Sequence, residues 1–206
     1  MRFFLLLFFL FPILLKAQTD TSFYDSGVAR AHGEIREGKK TGTWIFYYPN
    51  GEQNAVETYQ NGQLNGKVQY FYPDGSIKAI EHWNNDLLQD TAVYFHPNGK
   101  VKKAGNYKDG LYEGRWGFFY DDGTLKRTGT YRNGFPENEW VFYNEQGTRV
   151  QEGFFSTGKE DSLWRFYTEK GKIAYEGYYR EGKRVNPWYY YDKKGRKHQI
   201  DKSELD

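Results

Sequence analysis

The chain has 206 residues, of which 20% are aromatic and 27% charged, with 23 glycines and no cysteine. A formal net charge of +2 leaves no excess to drive non-specific binding to nucleic acid or anionic membranes. The absence of cysteine excludes a disulfide framework, so stability has to come from packing and backbone hydrogen bonds.

Residues 1–17 begin with Arg2, run through an unbroken apolar stretch from Phe3 to Leu15, and close on Lys16 and Ala17. That stretch is shorter than the roughly 20 apolar residues that span a bilayer. It reads as a secretory signal peptide cleaved between Ala17 and Gln18, with an uncleaved membrane-anchoring helix as the competing reading. No cysteine follows it, which excludes a lipid-anchored lipoprotein. Cleavage removes Arg2 and Lys16 and no acidic residue, leaving 27 basic and 27 acidic side chains. The expected location is a bacterial periplasm, outer envelope or the extracellular space. Residues 18–22 read as a linker.

From Phe23 onward the chain repeats. Gly51, Gly75, Gly99, Gly123, Gly147, Gly171 and Gly195 stand 24 residues apart without insertion or deletion. A fixed period of this size marks a repeat array. A partial unit, 23–37, comes first; its Phe23-Tyr24-Asp25-Ser26-Gly27 matches the end of an aromatic strand and its turn. Full rows follow at 38–61, 62–85, 86–109, 110–133, 134–157 and 158–181. The last, 182–197, decays into a polar tail, 198–206. Atypical terminal units are expected of such arrays.

Each row reads as two short strands. The first is aromatic, as in Thr43-Trp44-Ile45-Phe46-Tyr47-Tyr48, and ends at Pro49-Asn50-Gly51. The second runs from about Glu52 to Tyr59 and ends at Gln60-Asn61-Gly62. Both turn sets predict type I′ hairpins, with positive φ at both central residues. No long 3.6-residue periodicity competes. The fold class is therefore all-β: an elongated antiparallel meander of about seven 24-residue hairpin repeats, roughly fourteen short strands.

Strand alternation places Trp44 and Phe46 on one face, Ile45 and Tyr47 on the other. The tryptophan column (Trp44, Trp116, Trp140, Trp164, Trp188) and the Phe46 column predict the core of the sheet. The Gly105, Gly129, Gly153 and Gly177 column predicts room for a neighbouring ring, or a bulge. Gly117 alone falls off the glycine phases. Val68 and Ala92 replace tryptophan, and Asp86 and Asp90 replace glycine, so the array should be weaker or bent in rows two and three. The candidate binding residues are the opposite aromatic column: Tyr47, Phe71, Phe95, Phe119, Tyr143, Tyr167 and Tyr191. Rings on an open sheet face suit stacking on sugars, gripping apolar peptide, or resting at the level of lipid headgroups.

Little in the sequence points to catalysis. His32, His82, His96 and His198 occupy unrelated phases, none at metal-ligand spacing, so neither a metal nor a cofactor is expected. Asp121-Asp122 has row partners of drifting identity, which makes it a turn rather than a calcium pair. No nucleophile and base stand out, and the chain reads as non-enzymatic.

The unit Gly-x-x-x-Gly-x-Trp-x-Phe-Tyr-x-x-x-Gly, followed by a variable strand and Tyr-x-x-Gly, resembles the variant form of the MORN repeat. Within it, the chain is most similar to bacterial YwqK-family antitoxins of toxin–antitoxin systems. Gly110-Leu111-Tyr112-Glu113-Gly114-Arg115-Trp116 and Gly38-Lys39-Lys40-Thr41-Gly42-Thr43-Trp44 carry the likeness, which spans Phe23 to about Lys197. The resemblance implies a single elongated antiparallel sheet serving as a binding or membrane-apposing platform. The antitoxin label implies a protein partner neutralised by binding. The expected function is an exported scaffold that binds another protein along its sheet, antitoxin-like, immunity-like or within the envelope. The alternatives are a glycan or cell-wall module using aromatic ladders, and a lipid-surface binder; no nucleic-acid partner is expected.

Overall fold

The computed structural model describes residues 18–201. The signal segment with its Ala17 cleavage position, and residues 202–206 of the tail, lie outside the described residues. Seventeen strands follow one another in a single sheet. They are β1 (Gln18–Phe23), β2 (Ala29–Arg36), β3 (Lys39–Tyr47), β4 (Gln53–Gln60), β5 (Gln63–Leu64), β6 (Gly66–Phe71), β7 (Ile77–Asn84), β8 (Leu87–Phe95) and β9 (Val101–Lys108). Then come β10 (Leu111–Phe119), β11 (Leu125–Arg132), β12 (Phe135–Tyr143), β13 (Arg149–Ser156), β14 (Lys159–Tyr167), β15 (Ile173–Arg180), β16 (Lys183–Tyr191) and β17 (Lys197–Gln199). Each pairs antiparallel with its chain neighbour, except that β5 and β6 both pair with β4 and not with each other. The expected all-β meander is present. Residues 18–22, expected as a linker, instead form most of β1, because their backbone pairs with β2 from Gln18↔Ile35 onward. β17 likewise runs two residues into the expected tail.

The two turns of each row differ. Asn61 (φ 52°) and Gly62 (φ 88°) lie between the paired Gln60 and Gln63, a two-residue type I′ loop as expected. Glu37-Gly38, Asp109-Gly110, Asn133-Gly134, Thr157-Gly158 and Glu181-Gly182 repeat it. The Pro49-Asn50-Gly51 set does not. Only its glycine has positive φ, 88° at Gly51, whose amide donates to Tyr48 O (2.9 Å) while Tyr48 N donates to Glu52 O (2.8 Å). This is a three-residue loop, a type I turn closed by a left-handed glycine. Pro49 explains the difference, since its ring fixes φ negative where type I′ needs it positive.

A second irregularity builds the core. In the β2–β3 ladder His32 pairs with Ile45 and Glu34 with Thr41, so Gly33 alone faces Gly42, Thr43 and Trp44. The extra residues turn at a positive-φ position: Gly42 (φ 64°), Gly66 (108°), Asp90 (57°), Gly114 (66°), Asn138 (60°) and Ser162 (60°) in successive rows. Such a bulge bends the strand and re-aims the next side chain. Trp44 is laid flat on Gly33, where a Cβ would sit 2.4 Å from the indole. Trp116 lies likewise on Gly105, Trp140 on Gly129, Trp164 on Gly153 and Trp188 on Gly177, at 2.1–2.3 Å from an added Cβ. Each indole Nε1 donates to the carbonyl just past its glycine, at the point where the ladder is interrupted. The distances are 3.1 Å to Glu34, 2.9 Å to Asn106, 3.2 Å to Thr130, 3.1 Å to Phe154 and 3.2 Å to Tyr178. Neighbouring rings close over the indoles: Tyr112 and Tyr107 meet Trp116 edge-on at 4.3 and 5.1 Å, leaving it 0% exposed in a one-layer sheet.

Rows two and three change both partners together. Where the glycine column would place residues 57 and 81, the chain has Glu57 and Glu81, and the strands that follow carry Val68 and Ala92. The smaller side chains leave room for the carboxylates, and Val68, Ala92 and Glu81 are all buried. Glu81 accepts from Trp83 Nε1 (3.0 Å) and Glu57 from the Tyr59 hydroxyl (2.5 Å). Row two is also interrupted at Asn65, between β5 and β6, whose amide donates to Thr58 O (2.8 Å).

Candidate functional site

Successive hairpins are tied together at both margins of the sheet, which fixes the spacing of the two faces. On the type I′ side, the amides of Gly62, Gly110, Gly134, Gly158 and Gly182 donate to carbonyls of the preceding hairpin at 2.8–3.0 Å. On the other side the hydroxyls of Tyr24, Tyr48, Tyr72 and Tyr120 donate to the carbonyls of Tyr47, Phe71, Phe95 and Tyr143 at 2.7–2.9 Å. His96 Nε2 takes the same place beside Phe119 O. In the last three rows Asn144, Thr168 and Asp192 stand there and accept from amides of their own turns instead.

The predicted binding column lies on the face opposite the tryptophans, and all seven of its residues are half-buried. Its character changes along the chain. Tyr47 stacks on His32, ring centroids 5.7 Å apart. Phe71, Phe95 and Phe119 pair directly with Ile77, Val101 and Leu125. Beside them run Ile80, Val93 and Ala104, paired across β7, β8 and β9. The result is an apolar stripe across β6 to β11 over which no described residue packs as a second layer. Gly117 belongs to it, since the Phe119 ring lies 3.1 Å from where its Cβ would be.

From β12 onward the same columns turn polar. Tyr167 donates to Glu152 Oε1 (2.5 Å) and Tyr191 to Glu176 Oε1 (2.8 Å). Arg165 bridges the two carboxylates at 3.2 Å to each, while Arg149 pairs with Glu152 (2.6 Å) and Lys197 with Glu176 (2.7 Å). Burial opposes ionisation of Glu152, but the bonds from Tyr167 and Arg165 and the charge of Arg149 outweigh it and hold its carboxyl below the ordinary value. Burial also opposes ionisation of Glu176, where Lys197, Tyr191 and Arg165 win in the same way.

The tryptophan face has its own electrostatics. Lys103 and Arg127 alternate with rings, Lys103 Nζ lying 4.0 Å from the Tyr94 centroid and Arg127 4.4 Å from that of Phe118. Lys40 sits 4.5 to 4.8 Å from the rings of Trp44, Phe46 and Tyr59. These cations cap ring faces as cation–π partners and complete the cover of the core. Near Glu57 and Glu81, burial first and the carboxylates second push the Tyr70 hydroxyl up to about 12, and that of Tyr94 higher still. Among the described residues no group of three or more His, Cys, Asp or Glu is placed to hold a metal ion.

The same Gly–Trp bulge, type I′ turn and left-handed turn glycine thus recur along the sheet. The family model for the MORN repeat variant matches residues 40–61, 64–85, 91–109, 112–133 and 160–181, more than half of the chain. The chain belongs to the MORN repeat variant family. Residues 134–157, which that model passes over, keep the MORN geometry, with Trp140 on Gly129 and Trp164 on Gly153. No curated protein matches the chain. Among solved structures it is similar to the crystal structure of TcdB2-TccC3, at 10% identity and a TM-score of 0.20, over 84% of this chain and 13% of that one. It is also similar to TcdB2-TccC3-Cdc42, at 11% identity and a TM-score of 0.17, over 83% of this chain and 13% of that one. The MORN repeats here span a small part of those chains.

The tyrosine brace and the Glu152–Arg165–Glu176 network escape a reading that follows only invariant columns. The signal for the network lies in a column that drifts: Val56, Ile80, Ala104, Thr128, Glu152, Glu176.

Proposed function

We propose that this chain is a non-enzymatic, exported MORN-repeat scaffold that holds another protein against the face opposite its tryptophans. The observation that supports this reading is the apolar stripe of Phe71, Ile77, Phe95, Val101, Phe119 and Leu125. A sheet ordinarily buries its apolar face against a second layer. Here the described residues supply one layer, and Ile77 is 38% exposed at the β6–β7 end of the stripe. The stripe is long and narrow, about 29 Å across six strands, which suits an extended or helical partner segment. Neutralisation of that partner by occupation of its surface is in keeping with the antitoxin resemblance. Export rests on the Arg2, Phe3–Leu15, Ala17 pattern.

The test is affinity capture from the envelope fraction with the wild type and an Ile77→Lys/Phe95→Lys variant of unchanged melting temperature. The wild type retains a defined protein partner and the variant loses it. Recovery of the same partner by both, or of none by the wild type, rejects the reading. Export is checked by the N-terminus of the released protein, expected at Gln18.

A further inference from the structure

The repeat makes most columns equivalent, so a column that breaks its own pattern in one place without structural need singles that place out. The column on the open face that holds Thr58, His82, Asn106 and Thr130 becomes Phe154 and Tyr178 in the last two hairpins. Both rings are exposed, 45% and 42%. Tyr178 enters no ring pair and no cation contact among the described residues, and its hydroxyl has no protein partner there. Its neighbour Tyr189 is covered, with Lys197 Nζ 3.8 Å from the ring centroid.

Tyr178 stands between two open clefts. One, of about 340 Å³, is walled by Tyr178, Leu163, Pro187 and Tyr189 and edged by Arg165 and Glu176. The other, of about 420 Å³, is lined by Asp161, Ser162, Arg180 and Asn186 beside the same ring. Volumes of this size lie in the range of small-ligand sites.

We propose that this double cleft is a saccharide site, in which a pyranose unit of a β-linked glycan stacks on Tyr178 and the chain extends into both clefts. Three features select that chemistry. The free ring face is flat and apolar, matching the C–H face of an equatorially substituted pyranose. The first cleft's edge is polar and already paired: Arg165 and Lys197 both hold Glu176, and Arg165 also holds Glu152, so the single excess positive charge sits on groups that are engaged rather than free to clasp an anion. A purely apolar occupant would strip water from Arg165 and Lys197 without replacing it, a cost that sugar hydroxyls avoid. The site stands apart from the apolar stripe and does not depend on the protein-binding reading.

The experiment titrates the purified chain, residues 18–206, with chitotetraose and with cellotetraose, read by calorimetry and intrinsic fluorescence. Tyr178→Thr, which installs the residue the column carries at Thr58 and Thr130, keeps the fold and weakens binding by about tenfold or more. Tyr178→Phe keeps affinity within about threefold, and Ile77→Lys/Phe95→Lys leaves it unchanged. Absence of binding to both sugars by the wild type overturns the proposal, as does a folded Tyr178→Thr variant that binds like the wild type.

Discussion

At the scale of single residues, the fold rests on a contact between the largest side chain and the absence of one. Gly153 has ordinary backbone geometry, and its reason for being glycine is the Trp164 ring 2.1 Å from where a Cβ would be. Trp164 is buried, so the ring has no room to retreat. Gly153→Ala is therefore expected to cost about 1–3 kcal/mol or more by overpacking, and Trp164→Ala about 3–5 kcal/mol by leaving a cavity. Denaturant unfolding of the two single variants and the double should show strong coupling, because alanine at 153 fills space that the missing indole vacates. Additive costs would mean that the two residues do not share a site. The same reasoning explains the departures in rows two and three. Ala92→Trp alone should be strongly destabilising because Glu81 occupies the seat of the ring. Ala92→Trp/Glu81→Gly should recover most of the loss, and a double variant no more stable than the single one would refute paired substitution. The tryptophan core was legible in the sequence from its column. The pairing of Val68 and Ala92 with Glu57 and Glu81 was not, since it joins residues 11 apart on different strands that meet only once the bulge is known.

At the scale of strands and turns, the sequence separates into what local chemistry decides and what the ladder decides. Asn-Gly at 61–62 and 133–134 is sufficient for type I′. At Pro49, Pro73 and Pro97 the proline itself rules that turn out, so the correct three-residue loop was available from φ alone. The bulge before Trp44, Ala92, Trp116, Trp140 and Trp164 has no such signature, because Gly42, Asp90, Gly114, Asn138 and Ser162 share only tolerance of positive φ. The C-terminal strands add a pH-dependent element. Glu152 and Glu176 have folded-state values below their ordinary ones. Their contribution is therefore complete above the unfolded carboxyl value, about pH 4.3, and is lost as pH falls through the depressed folded values. Melting temperature should be flat from neutral pH to about pH 5 and fall below about pH 4. Glu152→Gln/Glu176→Gln should lower the neutral plateau and flatten the acid limb. An unchanged acid limb in that variant would assign the pH dependence elsewhere. The expected binding column ran unbroken from Tyr47 to Tyr191. The structure shows it changing character at β12, where Tyr167 and Tyr191 take carboxylate partners.

At the scale of the whole molecule, a one-layer meander whose contacts join neighbouring strands and neighbouring hairpins behaves as a linear array, in which each hairpin is stabilised by its neighbours. The unbroken 24-residue period made this the most legible property of the sequence, and it allows a demanding test. Deleting residues 134–157 joins Asn133 to Gly158 and preserves the Asn-Gly turn. Trp164 then falls on Gly129 in place of Trp140, and Arg165 keeps Glu176 while losing Glu152. The shortened chain should fold with the same β spectrum and unfold cooperatively at lower stability. Its denaturant slope should shrink with the surface buried, and its long dimension in solution scattering should shrink by two strand spacings, about 10 Å. A chain whose strands closed one compact core would lose its fold on such a deletion. Unfolding of the deletion variant would therefore show that long-range contacts, not the repeated hairpin, hold this sheet together. Survival of the Tyr178 clefts, which lie wholly in β14 to β17, predicts in addition that the shortened protein retains whatever binds there.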